Sequence, residues 1–235
     1  MGEVINDFTV ITGATRGLGH ELATQMAAEG LPLCLIGRST ARLAPILDTA
    51  SGQIIVAEAD LARPQDILEI FPRALPKGAR IGCLINNAGC FSETEETTFL
   101  QLHHDLQVEI SMVNGFAVAA LTHAAHPFLT TGSLIVNVLS DMAFPRHWEG
   151  TYPHYCAAKA YALAFTVNAA PALHREGIRM IGVDPGWMRT DMGGPDAPDD
   201  PAEVASAIRR MISKRMELTP GSIYHALSGV KTAPI

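Results

Sequence analysis

The strongest constraint on this chain is its alternation of short, almost unbroken apolar runs with longer stretches of helical pattern. Runs such as L-P-L-C-L-I-G (31–37), C-L-I-N-N (83–87) and L-I-V-N-V (134–138) lack the in–out periodicity of a half-exposed strand. A strand that is apolar on consecutive residues must be covered on both faces, the condition of a parallel sheet between two helical layers. The pattern predicts strands at 7–11, 32–36, 53–57, 81–85, 133–138, 178–183 and 222–227. Helices are predicted between them at 17–29, 40–50, 64–74, 98–125, 154–175 and 201–214.

Strict β–α alternation implies right-handed crossovers and an α/β fold: a Rossmann-type, doubly wound, parallel seven-stranded sheet in a three-layer sandwich. One domain over residues 1–235 suffices, because no composition break divides the chain. The segments after strands 1, 2, 4, 5 and 6 should line a single cleft at the carboxyl ends of the strands. The polar stretch G-G-P-D-A-P-D-D-P (193–201) reads as a loop rather than a domain linker.

Composition serves to exclude. A hydrophobic content of 48% with 17% charged residues describes an ordered globular protein. A formal charge of −7 without basic runs argues against nucleic-acid and anionic-membrane surfaces. No signal-peptide pattern is evident and no apolar run approaches membrane-spanning length. The cysteines Cys34, Cys83, Cys90 and Cys156 lack zinc-ligand spacing. A reduced, cytoplasmic protein is expected.

The first predicted strand runs into T-G-A-T-R-G-L-G, Thr12 to Gly19, and a helical pattern follows at once. Glycines there let the chain turn sharply and let another group approach the backbone closely. A helix N-terminus reached through such a loop offers unpaired N–H groups to a phosphate. Gly13, Thr15, Arg16, Gly17, Leu18 and Gly19 are therefore candidate dinucleotide contacts, although the loop alone also describes a plain tight turn.

Three further segments fall after strands. Asn86-Asn87-Ala88-Gly89 follows strand 4, and Ser140 follows strand 5. Tyr155 and Lys159 share a helical face at i, i+4 spacing. A phenol is a poor acid–base group at neutral pH, but a nearby ammonium in a desolvated cleft favours its ionisation, and a serine hydroxyl can orient a carbonyl beside it. Taken alone, the Tyr–Lys spacing also describes an ordinary exposed pair.

In order and spacing, T-G-x-x-x-G-x-G, N-N-A-G, Ser140, Y-x-x-x-K and Pro185-Gly186-Trp187-Met188-Arg189-Thr190 resemble the short-chain dehydrogenase/reductase family. The resemblance runs from Phe8 to about Gly229. It implies that Tyr155 is the proton donor in reduction and the base in oxidation. Lys159 would lower the phenol pKa and bind the nicotinamide ribose, and Ser140 would polarise the substrate carbonyl. Asn86, Asn87, Ala88 and Gly89 would lie along the cofactor, with Asp60 and Leu61 at the adenine. Pro185, Gly186, Met188 and Thr190 would close over the nicotinamide. The family's catalytic asparagine falls on Asn114, with Ser111 one turn earlier as the other alignable position. The run M-G-G-P-D-A-P is similar to a stretch of the C-factor-like and sniffer-like carbonyl reductases.

Strand 2 ends without an acid at its tip, where an NAD site needs one. Arg38 stands there instead, and Arg16 adds a second cation, so NADP(H) is the expected cofactor; solvated loop charges are the alternative. Met142, Phe144, Trp148 and Trp187, with Ser140 and Tyr155, are expected to wall the substrate site, favouring a small neutral or hydrophobic carbonyl compound. Arg146 and Arg189 leave an anionic substrate open. The expected activity is NADPH-dependent carbonyl reduction. Alcohol oxidation, C=N or C=C reduction and a non-catalytic NADP(H) sensor are the alternatives. His103-His104 and His123 with His126 lack a completing third ligand, so no metal is expected. A homodimer or homotetramer follows from the resemblance, with the alanine-rich helices as candidate surfaces and the final strand with helix 201–214 as another.

Overall fold

The computed structural model describes residues 7–93 and 101–232. Its strands are β1 (Asp7–Thr12), β2 (Leu33–Gly37), β3 (Ile54–Glu58), β4 (Arg80–Asn86), β5 (Leu129–Val138), β6 (Arg179–Asp184), β7 (Ile223–His225) and β8 (Lys231–Thr232). Helices are α1 (Gly17–Ala28), α2 (Ala44–Thr49), α3 (Pro64–Ala74), α4 (His104–Ser111), α5 (Ala117–Ala125), α6 (Pro153–Arg175) and α7 (Pro201–Ser213). The strands form one sheet in the order β3-β2-β1-β4-β5-β6-β7-β8.

Neighbours from β3 to β7 are parallel, as expected. Among the described residues the sheet nonetheless has eight strands rather than seven, because β8 pairs antiparallel with β7. The chain reverses through Gly229 at φ 67, where a left-handed turn suits glycine. A two-residue strand carries no hydrophobic period, which is why the pattern missed it.

Successive residues of one strand enter opposite cores. Val10, Cys34, Ile36, Leu84 and Ile135 pack with Ile67, Ile110, Leu121 and Ala158 on one side. Ile11, Leu33, Leu35, Ile85 and Val136 pack with Leu22, Ile46, Val204 and Ile208 on the other. The continuous apolar runs thus fill both interfaces of the sandwich.

Most helices begin and end within a residue or two of expectation. The predicted helix 40–50 starts as a 3-10 turn, Thr40–Leu43, before α2. The predicted helix 98–125 differs more: residues 98–100 lie outside the described residues, and α4 starts only at His104. Between α4 and α5 the backbone opens to π spacing over Met112–Phe116. The whole run His104–Phe128 is 25 residues long and by length and composition would suffice to cross a membrane, contrary to the expectation that no run reaches that length. Here it packs into the sandwich, burying Ile110, Val113, Asn114, Ala117, Leu121 and Ala125.

Candidate active site

The carboxyl ends of β1 and β4 are tied together. The Thr12 hydroxyl accepts hydrogen bonds from the Asn87 and Ala88 amides, both at 3.0 Å. Asn87 Nδ2 donates to the Thr12 carbonyl at 2.8 Å, so that side chain braces the loop. Space in the loop is tight: a Cβ at Gly19 would stand 2.3 Å from the Gly13 carbonyl, and one at Gly13 would stand 2.8 Å from Ala88 Cα. Arg16 precedes α1 in extended conformation with no side-chain cap. The first-turn amides of α1 are therefore left without a capping side chain, as anion binding requires.

Beside this loop opens a cleft of 440 Å³, lined by Thr15, Arg16, Gly17, Arg42, Arg189 and Thr190 among others. Arg42 was not singled out from the sequence, although its place four residues after Arg38 was a readable signal. Arg16 lies 3.8 Å from Asp191, and Arg38 donates to Glu109 at 2.9 Å. The cradle thus fits a dinucleotide phosphate: helix amides without a capping side chain, close-packed glycines, and Arg16 at the rim of a cleft that also holds Glu21 and Asp191. Asp60, after β3, accepts from the Ala62 amide at 3.1 Å, and Leu61 is buried beside it.

Asn114 sits in the middle of the π segment and is 1% exposed. Its Nδ2 donates to the Cys90 carbonyl at 2.7 Å and to the Ile110 carbonyl at 3.0 Å, while its Oδ1 accepts from the Cys90 amide at 3.2 Å. The Ser111 hydroxyl instead donates back to the Gln107 carbonyl within its own helix. A π turn displaces one residue from the regular ladder, which lets Asn114 face the segment after Gly89.

Ser140, Tyr155 and Lys159 come together at the end of β5. The Ser140 hydroxyl donates to Asp141 at 3.0 Å, accepts from the Met142 amide at 3.2 Å and lies near enough to the Tyr155 phenol to favour its ionised form. Lys159 Nζ donates to the Val138 carbonyl at 2.9 Å and stands 5.7 Å from the centre of the Tyr155 ring. Burial pushes the phenol well above its ordinary value; Ser140 opposes this, and Asp141 and Asp184 reinforce it. Burial also lowers Lys159 to about 8. Desolvation is thus the largest influence on both the phenol and the ammonium. Asp184, another residue not anticipated, is itself shifted upward by burial.

The segment after β6 folds over the glycine loop. Gly186 turns at φ 77, and a Cβ there would meet Asp199 at 2.5 Å. Met188 bridges to Asp199, and Thr190 packs toward Gly17. Pro185 lies between Asp184 and Gly186, whose amide donates back to Asp184 at 3.1 Å. Arg189 spends its guanidinium on the Ala197 and Pro198 carbonyls and on Asp200. Trp148 and Trp187 are half-exposed, anchored to the Met142 and Gly193 carbonyls at 3.0 and 2.7 Å. Phe144 corrects the expected wall: it is 1% exposed and packs in a core cluster with Leu139 and Leu163, so it supports the site from beneath.

The family model for short chain dehydrogenases matches residues 7–201. The chain belongs to the short-chain dehydrogenase/reductase family. It is 32% identical over 208 residues to a sulfoacetaldehyde reductase of Chromohalobacter salexigens, covering 83% of this chain and 80% of that one. It is 30% identical over 190 residues to a 3-oxoacyl-[acyl-carrier-protein] reductase of Synechocystis, covering 78% and 74%. In fold it is similar to a short-chain dehydrogenase from Burkholderia cenocepacia solved with NADP, with a TM-score of 0.84, 24% identity and coverage of 97% and 99%. This family membership makes the chain an oxidoreductase.

Proposed function

We propose that this oxidoreductase is an NADPH-dependent carbonyl reductase acting on a small, neutral or hydrophobic ketone or aldehyde. The observation that carries the reading is the buried Tyr155 side chain beside Ser140, with Lys159 one turn along the same helix and its Nζ 5.7 Å from the Tyr155 ring centre. NADPH held by the glycine loop and the segment after β6 would supply the hydride. Ser140 holds the carbonyl oxygen, and Tyr155 donates its proton to that oxygen as the alcohol forms. Lys159 offsets the negative charge then left on the phenol, and Asn114 holds Cys90 and the backbone beside it.

Gly13, Thr15, Gly17, Leu18, Gly19, Ala88 and Gly89 would hold the dinucleotide, with Asp60 and Leu61 at its adenine end. Arg16, Arg38 and Arg42 would take the 2′-phosphate, and Pro185, Gly186, Met188 and Thr190 would cover the nicotinamide. The named relatives are reductases, and a structural neighbour is a carbonyl reductase from chicken fatty liver bound to NADPH, at a TM-score of 0.82 and 21% identity. Met142, Trp148 and Trp187 give the substrate side an apolar character, and Asp141 and Asp184 beside Tyr155 disfavour an anionic substrate. Association into a homodimer through the α5–α6 face and a cytoplasmic location belong to the same reading.

The test is NADPH consumption over a panel of aldehydes, ketones, diketones, quinones and cyclic imines. Turnover should be lost in Tyr155→Phe, by about a hundredfold or more, while NADPH still binds. Activity restricted to imines, or equal rates with NADH, would defeat the substrate or cofactor half of the proposal.

A further inference from the structure

Helix α6 carries both Tyr155 and Lys159, and its N-terminus is capped from elsewhere in the chain. Its first residue, Pro153, has no N–H to satisfy. Tyr152 before it adopts φ 53 and provides no side-chain cap. The Cys156 amide already bonds back to the Tyr152 carbonyl at 2.9 Å. Two orphan donors remain in the first turn, the amides of His154 and Tyr155. Both are taken by one carboxylate: Glu93 Oε1 accepts from His154 at 3.1 Å and Oε2 from Tyr155 at 2.8 Å.

Glu93 is 4% exposed. A buried carboxylate is costly unless it is fully paired, and a helix N-terminus supplies both donors and a favourable dipole. The segment leading to Glu93 is itself held at each step. Thr12 fixes Asn87 and Ala88, Asn114 fixes both polar groups of Cys90, and Phe91 packs edge-on against Tyr152 and Tyr155 at 4.9 and 5.0 Å between ring centres.

We propose that Glu93 is a positioning residue for Tyr155, holding the backbone at the root of the reacting side chain in register with Ser140. Ser140 reaches the phenol from β5 and Glu93 reaches the same residue's amide from the β4 side, so the phenol is located between two independent anchors. This rests on the reading of Tyr155 as proton donor, and the role of Glu93 is to keep that donor on target.

Glu93→Gln keeps the volume and one acceptor but places an amide NH₂ against a backbone N–H; Glu93→Ala removes both acceptors. With the most active carbonyl of the panel, kcat should fall about tenfold in Glu93→Gln and further in Glu93→Ala, since misplacement near 1 Å costs up to about a hundredfold. NADPH affinity, followed by its fluorescence, should stay within about twofold, because the glycine loop is untouched. A substrate-free arm uses ultraviolet titration of tyrosinate, each protein against its own Tyr155→Phe background. Loosening the first turn should admit water and bring the Tyr155 phenol down toward its ordinary value near 10. An unchanged kcat with an unchanged phenol titration overturns the proposal, as does an equal fall of kcat and NADPH affinity. If Tyr155→Phe keeps its turnover, the proton-donor reading fails, and the titration arm still judges whether Glu93 places the phenol.

Discussion

At the scale of single residues, the site is governed by burial. Lys159 is moved from its ordinary 10.5 to about 8 by desolvation. Between these values the unfolded chain holds a proton that the folded chain has released, so stability rises with pH from about 8 to 10.5. Tyr155 acts with opposite sign above its ordinary value of about 10, where the folded chain keeps a proton that the unfolded chain loses. Lys159→Met removes the first effect. Urea unfolding near pH 7 and again near pH 10 should show wild type gaining on the variant as pH rises; a constant gap would mean that the ammonium is not penalised by burial. The types and spacing of Tyr155, Lys159 and Ser140 were readable in the chain, but the direction of their titration was not. Neither was Glu93, because its two partners lie 61 and 62 residues away and no local pattern marks a distant cap. Arg189 was readable as a cation, yet only the loop's path shows its charge spent on carbonyls.

Among elements, the glycine loop and the π turn illustrate two kinds of legibility. The loop announces itself because glycine is required where backbones nearly touch. Gly19→Ala would drive a methyl group toward the Gly13 carbonyl and Asn87 Nδ2, 2.3 and 2.4 Å from its ideal position. The expected cost is about 1–3 kcal/mol from overpacking, read as a lower denaturation midpoint. The π turn has no such residue signature. Asn114 was identifiable by alignment to the family pattern, but the extra residue in the hydrogen-bond ladder depends on how α4 and α5 pack. Likewise, parallel strands were visible as continuous apolar runs, whereas β8 is too short to show a period.

At the scale of the whole molecule, an apolar face is open among the described residues. Met112, Phe116, Ala119, Ala120 and Tyr161 help line a depression of 330 Å³ outside the sandwich, and the Phe116 and Tyr161 rings stand 4.5 Å apart while remaining half-exposed. Exposed aromatics beside small residues suit close packing against a second copy. Light scattering should give a dimer mass or a multiple of it for wild type and a smaller species for Phe116→Glu; a monomeric wild type would remove this surface from the account. The arginines near the glycine loop have partners already. Glu109 holds Arg38 and Asp191 stands by Arg16, within a protein whose formal charge is −7. A phosphate arriving at that rim would displace resident carboxylates and take over their guanidinium groups. Recognition there would be an exchange of anions, with the incoming phosphate competing against the protein's own side chains.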